Sequence, residues 1–146
     1  MRKVFADSSV LIAGAASRTG ASRAVLTMAE IGLFQLVVSE QVLEECQRNL
    51  SKKLPAALPI FTQLLAAINP KIQPNPPLAE STGWTALIEA KDAPILAAAV
   101  LAKVDRLLSL NTKDFTPEVA AQSGIIIQTP AEFVREIREI VERGLQ

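Results

Sequence analysis

An α/β fold is predicted: a central parallel sheet covered by helices on both faces, a three-layer α/β/α arrangement in a single domain, residues 1–146. Three observations predict it. Short, continuous apolar runs recur along the chain ("VFA", "LFQLVV", "RLLSL", "GIIIQ"), as in strands buried on both faces. Helical patterns lie between those runs, so strands and helices alternate. At 146 residues the chain is long enough to bury one real core, and no internal repeat or low-complexity tract divides it.

Residues 4–6 form the first strand, and Asp7 stands where it stops, ahead of a helix. Residues 21–31 have helical character and end at Gly32, placed as a C′ glycine. Residues 33–38 read as the second strand, and Ser39 as the N-cap of the helix "EQVLEECQRNLSKK". A further helix, "AALPIFTQLLAAI", lies between Pro55 and Pro70, with Pro59 where only a first turn tolerates it. Residues 70–83 carry four prolines and read as a connection with one short strand near Ile72. "DAPILAAAVLAKV" is a helix, "RLLSL" a strand, and residues 124–128 another strand. Thr129, Pro130 and Glu132 stand at N-cap, N1 and N3 of the last helix, a capping box, and Gly144 closes it.

Composition narrows the chemistry. Fifteen basic residues balance fifteen acidic ones, so no global positive field advertises a nucleic-acid partner, although a local groove can still be basic. No apolar run approaches the ~20 residues that cross a bilayer, and the N-terminus makes a poor signal peptide. With a single cysteine, Cys46, that has no internal partner, the expectation is a soluble cytoplasmic protein. There is no histidine. That removes Ser-His-Asp and Cys-His nucleophiles and histidine-ligated zinc, and leaves carboxylates, lysines, hydroxyls or a bound ion.

In open parallel sheets, sites form beyond the carboxyl ends of the strands. Four segments each deliver an acid there. Asp7 follows the first strand, Glu44 and Glu45 sit in the helix after the second, Asp92 opens the alanine-rich helix, and Asp114 follows "RLLSL" with Asn111 between. Val42, Leu43, Cys46 and Leu50 define the apolar stripe of the helix that carries the glutamates. Glu45 lies ~110° from the centre of that stripe, at its border, and Glu44 ~150° away, toward water. Each acid also has a structural reading: Asp7 and Asp92 as N-caps, Glu45 as a solvated helix residue, Asp114 as a turn residue. Cys46, Trp84 and Phe115 read as packing residues.

At these residues the chain resembles the PIN-domain ribonucleases, especially the small VapC-like toxins of type II toxin–antitoxin pairs. "FADSSVLI" resembles the family's opening strand and aspartate, and "VSEQVLEEC" its second acidic motif, ending on Glu45. "KDAPILAAAVLAKVDRLLSLNTKDF" resembles the third and fourth motifs, and "IIIQTPAEFV" the closing strand and helix. The resemblance covers nearly the whole chain. It implies an acidic pocket of Asp7, Glu45, Asp92 and Asp114, with Ser8 hydrogen-bonding inside the site. Asn111 and Ser109 stand where many members carry aspartate and threonine; the first removes one possible negative ligand.

All-oxygen ligands suit Mg²⁺ or Mn²⁺. Asp7 and Asp92 are expected to bind the main ion, Glu45 and Asp114 to bind a second ion or orient waters, and Ser8 and Ser109 to steady the carboxylates. The implied reaction is endonucleolytic hydrolysis of RNA, and the implied partners are an RNA substrate, a cognate antitoxin and a second copy of the chain in a homodimer. Arg18, Arg23 and Arg48, with Lys52 and Lys53, are candidate contacts to the RNA backbone, although a solvated helix face explains the last three as well. Two rivals remain: a PIN-like module that binds without cleaving, and a phosphotransfer domain with Asp7 as nucleophile. The second usually wants another aspartate two positions on, where this chain has Ser9.

Overall fold

A computed structural model describes residues 2–145. Five parallel strands form one sheet in the order β3-β2-β1-β4-β5, with β1 at Lys3–Ala6, β2 at Gln35–Ser39, β3 at Lys71–Gln73, β4 at Arg106–Leu108 and β5 at Ile126–Gln128. Their registers set Val4 opposite Leu36 on one side and Arg106 on the other. The chain runs outward from β1 to β3, then returns to build β4 and β5 on the far side of β1. By the right-handed rule for crossovers between parallel strands, the connections of the outward run β1 to β3 fall on one face of the sheet and those of the return on the other. This is the expected three-layer α/β/α architecture.

The first run carries α1 (Ser8–Ala16), α2 (Ala21–Glu30), α3 (Glu40–Lys53) and α4 (Leu58–Ile68), the last preceded by a 3-10 turn at Pro55–Ala57. The second carries α5 (Leu78–Thr82), α6 (Ala93–Leu101) and α7 (Pro117–Ser123), and α8 (Pro130–Gly144) follows β5 and packs on α2. Gly32, at φ +85°, turns the chain out of α2 in a conformation L side chains rarely adopt. The capping box of α8 is complete, with both reciprocal bonds between Thr129 and Glu132. Pro59 lies in the first turn of α4, where its missing N–H costs nothing.

The core is continuous across the sheet. Phe5, Leu36, Leu107 and Leu108 are buried on the strands, and Phe34 meets Phe133 edge-on at 5.4 Å. The alanines of α6 are buried all round, since small side chains let that helix lie close to the sheet. Cys46 and Phe115 belong to the core, and Trp84 packs against it. Among the described residues, no helix is long and apolar enough to cross a membrane.

Two short helices were not foreseen. The stretch between Asp114 and β5, to which the sequence assigns no element, contains α7, with Thr116 as N-cap, Pro117 in the first turn and Gly124 as left-handed cap. The proline-rich connection contains α5, whose five residues are too few to show a period.

Candidate metal centre

Strand order reverses on either side of β1, and that is where an open parallel sheet offers a crevice. Asp7 stands at the end of β1, and its backbone N–H donates to the Leu108 carbonyl at 3.2 Å, tying it to the end of β4. Its side chain serves two purposes. Oδ1 accepts from the Val10 N–H at 3.3 Å, capping α1, and from the Ser9 hydroxyl. Oδ2 accepts from the Ser109 hydroxyl, which itself accepts the Asn111 N–H at 2.9 Å. The carboxylate is therefore both helix cap and part of the cleft. Burial pushes its pKa up, opposed by the hydrogen bonds from Ser109, Ser9 and Val10.

Glu45 arrives from α3. Ser39 ends β2 and caps α3 through the Val42 N–H, so no loop separates strand from helix. Six residues on, Glu45 reaches the cleft, where Oε1 accepts from Ser8 Oγ at 3.0 Å and Oε2 from Gln41 Nε2 at 3.3 Å. The same Gln41 amide donates to the Lys91 carbonyl at 2.9 Å and so ties α3 to the segment before α6. Glu44 is exposed, as its angle on the helix predicts. Behind Glu45, burial and the charges of Glu45 and Asp7 push the Cys46 thiol up to about 12, which leaves it an inert core residue.

Asp92 is the least accommodated of these acids. It occupies the N-cap position of α6 but makes no side-chain cap bond. Only 7% of the residue is exposed, and Oδ2 is buried without a hydrogen-bond partner. Burial first, then a hydrogen bond with Asp114 and the negative charges of Asp114 and Glu45, push its pKa up to about 7, against the pull of Lys91. Asp114 moves the other way. The Asn111 amide donates to its Oδ2 at 2.8 Å and, with Asp92, Lys91 and Lys113, lowers its pKa. Asparagine at 111 thus places an N–H donor where another acid would repel.

Asp7, Ser8, Glu45, Arg48, Lys91, Asp92 and Asn111 line one cleft of about 220 Å³. Among the described residues, one set of three acids brings its oxygens within 4.8 Å of one another: Glu89, Asp92 and Asp114. The four expected acids therefore reach the same sheet edge but fall into two sets. Asp7 and Glu45 line the cleft, Asp114 lies beside it, and Asp92 joins the two. Glu89 was missed; its one available signal was the Glu-x-x-Asp spacing ahead of α6.

Of the expected cations, Arg48 lines the cleft. Arg23 does not; its guanidinium donates to the carbonyls of Gly14 and Ala15 at the far end of α1 from Asp7. Arg18 sits exposed in the loop beyond that same end. A larger, mostly apolar groove of about 650 Å³ runs along β5 and α7 and touches the site at Ser109. Its one carboxylate, Glu132, is committed to the α8 cap.

The residues fit a metal ion. An all-oxygen set with a buried carboxylate atom that no protein donor serves is what a hard divalent cation would complete. The cluster can hold a metal.

Comparison with known proteins agrees. A family model described as PIN domain matches residues 3–113, a span that includes Asp7, Glu45 and Asp92 and ends one residue before Asp114. No curated protein matches the chain by sequence. Among solved structures, VapBC2 from Rickettsia felis bound to a promoter DNA fragment is 16% identical, with a TM-score of 0.62, over 87% of this chain and 98% of that one. PAE2754 from Pyrobaculum aerophilum is 18% identical, with a TM-score of 0.63, over 92% of this chain and 88% of that one. FitAB bound to the IR36 DNA fragment is 15% identical, with a TM-score of 0.62, over 87% and 94%. At these identities the likeness is one of fold. With the family match spanning β1 to β4 and three of the four expected acids, the chain belongs to the PIN-domain family.

Proposed function

We propose that this protein is a metal-dependent endoribonuclease, the toxin of a toxin–antitoxin pair, using Mg²⁺ or Mn²⁺ held by Asp92, Glu89 and Asp114, with Asp7 and Glu45 across the cleft. PIN-domain membership and the metal-competent acids support ribonuclease activity. The observation that carries the reading is Asp92, a buried carboxylate relieved of capping duty and left with an unserved oxygen. When bound, a divalent ion supplies positive charge against phosphodiester oxygens and acidifies nearby water, which replaces the absent histidine base.

The chain's own residues do the rest. Ser9 and Ser109 lock the Asp7 carboxylate from both sides, while Ser8 and Gln41 fix Glu45, so neither acid reorients when phosphate arrives. Asn111 orients Asp114 by donating to it. Arg48 offers positive charge to the backbone of a single-stranded or looped RNA. A cognate antitoxin would block the cleft with a basic side chain, and the fold likeness to VapBC2 and FitAB supports such a partner. The active form is a homodimer of single-domain chains.

Cleavage of RNA by the purified protein tests this. Activity should require Mg²⁺ or Mn²⁺, vanish in EDTA and vanish in Asp7→Asn. Equal activity in all three conditions would refute it. A folded variant-insensitive protein that binds a partner but never cleaves would favour the non-catalytic module instead.

A further inference from the structure

Lys91 has no role in the reading above, yet it lies between the two sets of acids. Its backbone is fixed, because the Gln41 amide holds its carbonyl together with Glu45. Its ammonium is free to move: the side chain is 69% exposed and lies 3.8 Å from Glu89 Oε2. Its positive charge also acts on both Asp92 and Asp114. One flexible cation therefore sits against Glu89, with Asp92 and Asp114 within reach of its charge, while its stem springs from the lining of the cleft. Arg48, the other cation lining the cleft, comes from α3 and, among the described residues, forms no ion pair with Glu89, Asp92 or Asp114.

We infer that Lys91 is the resident counter-ion of the Glu89–Asp92–Asp114 set, displaced when a divalent cation binds and then turned toward the phosphate backbone of the substrate. The inference rests on the metal-nuclease reading and extends it to substrate binding. Its physics is simple repulsion. A lysine is a compact charge on a long stem, able to swing where a carboxylate cannot. A dication and an ammonium crowded over the same three acids repel each other, so the metal must push Lys91 aside. The displaced ammonium then stands at the mouth of the cleft, where incoming phosphate needs positive charge.

The two halves predict opposite effects of one substitution. Lys91→Gln should bind Mn²⁺ roughly three- to ten-fold more tightly, because a repulsive charge is gone. It should bind single-stranded RNA several-fold more weakly, measured in the Asp7→Asn background so that nothing is cleaved, with a shallower dependence on salt. Lys91→Arg should restore RNA binding. Arg48→Gln is the contrast: weaker RNA binding with Mn²⁺ affinity unchanged. The measurements are Mn²⁺ titration by calorimetry and RNA binding by fluorescence anisotropy, on variants shown folded by circular dichroism. Equal or weaker Mn²⁺ binding by Lys91→Gln overturns the counter-ion role, and unchanged RNA affinity overturns the turn toward phosphate. If the parent protein binds no Mn²⁺ at all, the nuclease reading itself fails, and this inference with it.

Discussion

Replacing Asp92 with asparagine should make the metal-free protein more stable while removing its function. The magnitude follows from the position of the group. An aspartate ionises near 3.8 in the unfolded chain, whereas burial and neighbouring acids hold Asp92 at about 7 in the folded one. Between those values the folded state keeps a proton the unfolded state has lost, so stability falls as pH rises through that window and levels off above pH ~7. Three units at 1.36 kcal/mol each amount to about 4 kcal/mol, and the open cleft screens roughly half, leaving ~2 kcal/mol. Asparagine is nearly isosteric, cannot ionise, and can still donate to Asp114. Asp92→Asn should therefore melt roughly 5–8 °C higher than the parent at pH 8 in EDTA, with the gap closing toward pH 4. Saturating Mn²⁺ should reverse the order, since a ligand at a hundred times its Kd adds about 2.7 kcal/mol to the form that binds it. Melting curves across pH, with and without Mn²⁺, check both. A variant that is no more stable than the parent at pH 8 without metal would refute the claim that Asp92 is held at a cost.

Three further outcomes follow from individual contacts. Ser109→Ala strips Asp7 Oδ2 of its buried hydroxyl donor, which should cost about 1–2 kcal/mol by chemical denaturation and lower RNA cleavage about ten-fold. Glu89→Gln should weaken Mn²⁺ binding by about ten-fold, while Glu44→Gln, on the exposed side of α3, should leave it unchanged; equal effects in calorimetry would remove Glu89 from the site. Gly14→Ala would set a Cβ 2.5 Å from Leu26 Cδ1 in the α1–α2 contact, destabilising the fold by about 1–3 kcal/mol with Mn²⁺ affinity intact.

The sequence made legible what depends on period and punctuation. Glu45 and Glu44 are adjacent, and their angle to one apolar stripe was enough to send the first to the cleft and the second to solvent. Ser39 as cap, Gly32 past the end of α2 and the box opening α8 were each read from local chemistry. Glu89 was not, because it stands in an irregular segment whose path is set by packing rather than by a repeat. Nor could the sequence separate the two meanings of an aspartate before a helix. Asp7 makes its cap bond and Asp92 does not, a difference decided by backbone geometry around each residue. Arg23 looked available in the linear chain and proved committed to carbonyls nine and eight residues earlier.

The seamless passage from β2 into α3 makes the site a ruler without slack. Ser39 belongs to the strand and caps the helix at once, so the azimuth of Glu45 is dictated by where β2 pairs with β1. Slipping in one residue between Ser39 and Glu40 would rotate every later side chain of α3 by ~100°. Glu45 would then leave the cleft and another face of α3 would confront Ser8. At this joint a single inserted codon would dismantle the acid pair.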